Sequence, residues 1–253
     1  MPRFHVDLPL HASLELALPA AVARHVQVLR LQPGARITLF DGGGADWPAE
    51  VLTIGRSEVR VQVGTAQPVD TELPLAVTLA VGMPANERMD WLVEKATELG
   101  VAQIQPLVCE RSVLRLEGER AERRCAHWQA VAAAAAEQCG RARLPLVHLP
   151  RRLDAWLGGL ESGVGSRFVL SLAADARPLV TALGDRRAPG SELLFLSGPE
   201  GGLTPAEEQA ARYAGWVPVS LGTRVLRAET APIAALAAVG AHAEPAPPRG
   251  PAS

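Results

Sequence analysis

Two glycine-bearing loops hold the residue types that could do chemistry. The first runs Leu196-Ser197-Gly198-Pro199-Glu200-Gly201-Gly202, after an apolar run and just before Thr204. The second runs Leu221-Gly222-Thr223-Arg224-Val225-Leu226-Arg227-Ala228-Glu229-Thr230-Ala231. Glycines permit unusual dihedrals and let a ligand come close to the backbone. Glu200 is a lone acid in the first loop, while Arg224, Arg227 and Glu229 interleave with Val225 and Leu226 in the second. Carboxylates and guanidinium groups in such loops are the types that take protons and stabilise developing charge. Each loop also has a plainer reading: a tight turn with a solvated Glu200, and a structural Arg–Glu network beside a helix start at Thr230.

Other chemistries lack their residues. Gly163-Val164-Gly165 begins a dinucleotide fingerprint, but Phe168 stands where the third glycine belongs. There is no Walker A loop, and Ser197-Gly198 is not part of a nucleophile elbow. The six histidines lack ligand spacing; Cys125-Ala126-His127 on a helix reads as packing and surface, so no metal site is expected. The three cysteines, Cys109, Cys125 and Cys139, are odd in number with no CxxC pair, which points to reduced thiols and a cytoplasmic protein.

The elements that must carry these loops change character along the chain. Residues 35–40, 49–54 and 58–63 are short, β-branched, roughly alternating runs, and a helical piece at 20–31 precedes Pro33-Gly34. They suggest a small β-barrel or sandwich over residues 1–70, followed by a polar linker near 64–74. From residue 75 strands and helices alternate. The strand-like runs are 75–81, 101–108, 146–149, 168–172, 193–196 and 216–221. Helical patterns cover 86–99, 118–139 and 153–160. A capping box at Thr204-Pro205-Ala206-Glu207 starts another helix that stops before Gly215, and a last one opens at Thr230. Such alternation over 75–243 implies an α/β domain with a mostly parallel sheet, and loops after its strands lie at the carboxyl edge, where ligands bind. The apolar run 231–243, with Pro232 inside it, is too short to span a bilayer and reads as a buried helix, so no membrane partner is expected. The Pro-rich tail 244–253 reads as disordered.

Net charge is −2 over 253 residues, which excludes a generally basic nucleic-acid coat. Basic charge is local: residues 109–152 hold nine Arg against five Glu. That segment suits a single RNA-facing surface or, for Arg120, Arg123 and Arg124, a solvated helix face with i,i+4 pairs.

Five motifs in order resemble the RsmE-type methyltransferases of the SPOUT class. They are Glu94-Lys95-Ala96-Thr97-Glu98-Leu99-Gly100-Val101, Glu110-Arg111-Ser112, Glu137-Gln138-Cys139-Gly140-Arg141, Gly198–Gly202, and Leu221–Ala231. His25, Val28-Leu29-Arg30 and Phe40-Asp41-Gly42 are similar to the family's PUA-like barrel. The resemblance spans about residues 25–235. It implies a SPOUT-type parallel sheet with a C-terminal trefoil knot, a PUA-like β-barrel that positions RNA, and a homodimer. It also implies methylation of uracil N3 in 16S ribosomal RNA of the small ribosomal subunit, with S-adenosyl-L-methionine as donor. On that reading the donor lies against Leu172, Leu196, Leu221, Val225 and Leu226, and meets the backbone of Gly198, Gly201 and Gly222. Arg227 stabilises charge on the uracil, Glu200 takes its proton, and Arg24, Arg30, Arg111 and Arg141 meet RNA. The lysine usual in the family between the first strand and its helix has no counterpart in Met83-Pro84-Ala85-Asn86, which removes one RNA phosphate contact. A related enzyme acting on a tRNA ribose 2′-oxygen, or a non-catalytic RNA-binding protein, are the competing functions.

Overall fold

The computed structural model describes residues 1–85, 87–160, 165–184 and 190–243. Asn86 as a helix start, Gly163-Val164 and the tail 244–253 lie outside the described residues. The chain forms two compact units, Met1–Glu72 with Ala132–Leu144, and Leu73–Val131 with Pro145–Ser253.

The first unit is built on a six-stranded sheet. Its elements are β1 (Arg3–His5), β2 (Glu15–Ala17), α1 (Ala20–Val28), β3 (Arg36–Phe40), β4 (Ala45–Ile54), β5 (Val59–Val63) and β6 (Gln67–Pro68). The strand order is β1-β3-β4-β5-β2, with β6 on β4 and only β1–β3 parallel. Alternation works as expected in β5: Val59, Val61 and Val63 point into the core with Phe4, Val26, Ile37 and Leu39. Helix α1 stops at Val28 rather than at residue 31, because Arg30 adopts a left-handed φ of 54° that no helix continues through. The segment Ala132–Leu144 belongs to this unit through buried polar contacts. Arg3 pairs with Asp46 at 2.7 Å, donates to the carbonyls of Ala136 (2.8 Å) and Arg141 (2.9 Å), and lies 4.0 Å over the Phe40 ring. Arg141 was expected to meet RNA. Its side chain is instead buried and donates to Glu72, Nε to Oε1 at 3.1 Å, so the guanidinium is spent on an internal pair.

The second unit holds an eight-stranded parallel sheet. It comprises β7 (Ala76–Gly82), α2 (Glu87–Glu98), β8 (Gln103–Val108), α3 (Gly118–Cys139, whose last turns belong to the first unit), β9 (Leu146–Val147), β10 (Arg151–Arg152) and α4 (Leu153–Gly158). β11 (Ser166–Leu170), β12 (Arg177–Pro178), α5 (Leu179–Leu183), β13 (Glu192–Ser197), α6 (Pro205–Tyr213), β14 (Val217–Ser220) and α7 (Thr230–Ala243) complete it. The order is β10-β8-β7-β13-β11-β14-β12, with β9 on β8. The continuous apolar runs of β7 and β13 fit central strands covered on both faces; Val77, Leu79, Phe195 and Leu196 are fully buried. The stripe Met89, Leu92, Val93 and Ala96 is buried along α2, and Gly100, with φ 87°, ends it. Helix α7, expected to be buried, buries only Pro232, Ala235, Leu236 and Val239. Among the described residues no helix is long and apolar enough to cross a membrane.

Helix α6 opens with the expected capping box. The Glu207 amide donates to Thr204 Oγ1 at 3.2 Å, and Glu207 Oε2 accepts from the Thr204 amide at 2.8 Å. Glu207 Oε1 also accepts from the Glu110 amide at 2.7 Å, so one carboxylate ties the helix start to a second segment. Thr204→Ala should therefore cost about 1 kcal/mol, read as a fall of roughly 2–4 °C in melting temperature. An unchanged melting temperature would show that the cap contributes nothing here.

Candidate functional site

The order β7-β13-β11-β14 brings four strand ends to one edge of the parallel sheet. There a cavity of about 540 Å³ opens between the exit of β11, the loop after β13 and the loop after β14. Both glycine loops picked out by sequence form its walls. Leu172, Gly198, Gly201, Leu221, Gly222, Val225 and Leu226 line it, as do Glu200 and Arg227. Leu196 does not. It is fully buried beneath the cavity, paired with Ala80 and Val169 in the sheet, because a central strand has no free face to offer a ligand. Sequence reasoning also passed over Leu170 and Ser171 at the exit of β11 and Val219 near the end of β14, which reach the cavity from neighbouring strands, and over Arg88.

Close packing shapes the loop after β13. A Cβ on Gly82, the last residue of β7, would lie 2.5 Å from Pro199. A Cβ on Gly198 would lie 2.5 Å from the Leu203 amide nitrogen and 2.7 Å from the Gly202 carbonyl carbon. Only glycine at both places lets the loop fold over the strand end. Gly201 is different: a Cβ there would meet the aliphatic stem of Arg111 at 3.0 Å. Arg111 Nη1 donates to the Gly201 carbonyl at 2.9 Å, so the guanidinium expected to meet RNA braces this loop.

Glu200 Oε1 accepts from the Ala85 amide at 2.8 Å and from Arg88 Nη1 at 3.1 Å. Partial burial pushes its pKa up, but the Ala85 amide, its own amide and Arg88 together outweigh this and hold the carboxyl below its usual value. It is therefore ionised at neutral pH. On the other wall, Ser171 Oγ donates to Glu208 at 2.9 Å, and Arg212 joins Glu208 (2.8 Å) to Asp175 (2.6 Å), which fixes the β11 exit carrying the exposed Leu172.

The Arg–Glu network of the second loop is not the one the sequence suggests. Arg227 lies exposed in the cavity wall and its side chain has no hydrogen-bond or ion-pair partner among the described residues; its carbonyl accepts from the Thr230 and Ala231 amides, 3.0 Å each. Glu229 is buried, with Oε1 4.0 Å from Arg88 Nε and Oε2 without a partner. Among the other expected RNA contacts, Arg24 and Arg30 are exposed in the first unit. Arg123 on α3 is paired with Glu119 at 3.6 Å, as a solvated helix face would have it. No group of three or more His, Cys, Asp or Glu among the described residues is placed to hold a metal ion.

Known proteins match both units. Residues 71–240 match the family described as an RNA methyltransferase domain, and residues 18–64 the RNA methyltransferase PUA domain. The ribosomal RNA small subunit methyltransferase E of Synechocystis sp. is 35% identical over 90% of this chain and 74% of its own. That of Bacillus subtilis is 31% identical over 87% and 86%. The crystal structure of ribosomal RNA small subunit methyltransferase E from Neisseria gonorrhoeae bound to S-adenosyl methionine superposes with a TM-score of 0.87, at 36% identity, covering 96% of this chain and 98% of that one. A putative methyltransferase from Legionella pneumophila, in complex with the same cofactor, gives a TM-score of 0.86 at 30% identity over 96% and 98%. With a parallel-sheet domain and a PUA domain matched over most of its length, the chain belongs to the RNA methyltransferase family.

Proposed function

We propose that this protein methylates uracil N3 in 16S ribosomal RNA of the small ribosomal subunit, with S-adenosyl-L-methionine as donor. The observation that carries the reading is the cavity walled by both glycine loops at the carboxyl edge of the sheet. Its volume falls in the ~300–1,000 Å³ range of small-molecule sites. The donor fits these residues: Leu172, Leu221, Val225 and Leu226 offer apolar walls to an adenosyl group, and Gly198 leaves backbone, not side chain, at the floor. S-adenosylmethionine supplies a methyl group activated on a sulfonium.

The chain's own task is to place the uracil, remove the N3 proton and stabilise the charge left behind. Arg88, Arg224 and Arg227 line the cavity, and Arg227, unpaired, is the cation for that charge. Glu200, ionised at neutral pH, takes the proton directly or through water. Its lowered pKa makes it a weak base, so the reaction leans on the guanidinium. The first unit positions RNA through Arg24 and Arg30. The same reading includes a C-terminal trefoil knot, with the motif Leu221–Ala231 as its threaded segment, a homodimer and a cytoplasmic location.

The test is nucleoside mass spectrometry after incubation with donor and unmethylated small subunits, naked 16S RNA or tRNA, alongside calorimetry of donor binding. 3-Methyluridine in the small-subunit RNA is expected. Ribose-methylated tRNA would replace this reading with the related one, and absence of donor binding would leave an RNA-binding protein.

A further inference from the structure

Arg88 stands in the first turn of α2, outside both glycine loops, yet it reaches both. Its Nη1 lies 3.1 Å from Glu200 Oε1 in the loop after β13, and its Nε lies 4.0 Å from Glu229 Oε1 in the loop before α7. The Ala85 amide, three residues earlier, donates to the same Glu200 oxygen at 2.8 Å. One short stretch at the start of α2 thus contacts both loops that wall the cavity.

Glu229 makes that grip consequential. The residue is 8% exposed, its Oε2 has no hydrogen-bond partner, and Arg88 is the one cation within 4.0 Å of it among the described residues. A buried carboxylate without its cation is costly, and the surrounding chain relaxes to hydrate it. Two different nitrogens of one planar guanidinium, Nη1 and Nε, face two carboxylates on separate segments, a fixed spread that the single nitrogen of a lysine ammonium does not reproduce.

From this we propose that Arg88 is a positioning residue: it sets the separation of the two loops and thereby the affinity for the methyl donor. The proposal rests on the cavity being the donor site. The test compares wild type, Arg88→Met, Arg88→Lys, and Arg88→Met combined with Glu229→Gln. Donor affinity is read by calorimetry, and the KM for small-subunit RNA and the melting temperature are read in parallel. Arg88→Met should weaken donor binding roughly tenfold, with KM for RNA moving by less than about twofold; Arg88→Lys should recover only part. Adding Glu229→Gln should restore donor affinity toward wild type, because no stranded charge then forces the second loop open. A merely structural arginine would not show that second-site rescue. Unchanged donor affinity in Arg88→Met, a rise confined to KM for RNA, or failure of the rescue each overturns the proposal. If wild type itself fails to bind donor, the cavity reading falls and this proposal with it.

Discussion

Gly198→Ala is expected to abolish donor binding while leaving a folded protein. One methyl group there would sit 2.5 Å from the Leu203 amide nitrogen and 2.7 Å from the Gly202 carbonyl carbon. Both neighbours are backbone, so no rotamer change relieves the clash; the loop itself must open. Opening draws Pro199 off Gly82 and Glu200 away from the Ala85 amide, the two contacts that seat the loop against β7 and the start of α2. Misplacing a positioned group by about 1 Å costs on the order of 10²-fold in rate, and here a whole wall of the cavity moves. We expect turnover to fall by at least ~10², with donor binding by calorimetry too weak to measure. Gly201→Ala is the matched control. Its added methyl meets Arg111 Cβ at 3.0 Å, a contact relieved by a shift of a few tenths of an ångström rather than by opening the loop, so its effect should be severalfold smaller. Near-normal donor affinity in folded Gly198→Ala would remove the loop after β13 from the donor site.

The contrast between these two glycines marks what the sequence can and cannot tell. Both stand in one conspicuous loop, and their presence there is a local signal, as are the capping box at Thr204, the apolar runs of β7 and β13, and the stripe Met89, Leu92, Val93 and Ala96. Gly198 is crowded by Gly202 and Leu203 of its own loop, but the seating of that loop, Pro199 against Gly82, depends on β7 lying beside β13, a pairing between residues more than a hundred positions apart. The same distance hides Arg88, 112 residues from its partner Glu200, and the brace from Arg111 to Gly201, 90 residues away. Arg141 failed as an RNA contact for a related reason. Composition sees a basic segment, but not that Glu72, 69 residues earlier, folds back to bury one of its charges. Leu196 and Leu172 look alike as apolar residues of strand-like runs. They part because β11 ends at Leu170 and lets Leu172 emerge, while Leu196 sits inside a central strand. Strands of two or three residues such as β2, β6, β10 and β12 are too short to show any period. The membership of Ala132–Leu144 in the first unit was equally out of reach, since it rests on Arg3 and Glu72 rather than on a break in the helical pattern of α3.

Arg227→Lys is expected to lose most of its turnover and almost none of its stability. A structural arginine would need a partner, and the nearest candidate in sequence is Glu229. That carboxylate faces Arg88 instead, and Arg227 has no side-chain partner among the described residues while lining the cavity. What is structural at this position is the backbone carbonyl, which accepts from the Thr230 and Ala231 amides at the start of α7 and is untouched by substitution. The side chain is therefore free to meet charge that develops on the substrate. Lysine keeps the charge but not the planar fork with its fixed donors, and removal of one well-placed donor of this kind costs ~10²–10³ in turnover. Donor affinity should stay within about twofold, because the cation acts on the RNA base rather than on the adenosyl group. Arg227→Ala should behave similarly, with a melting temperature within about 1 °C of wild type, as for an exposed side chain with no partner. Turnover, donor affinity and melting temperature measured on both variants separate the two roles: a loss of stability large enough to account for the lost activity would return Arg227 to the scaffold.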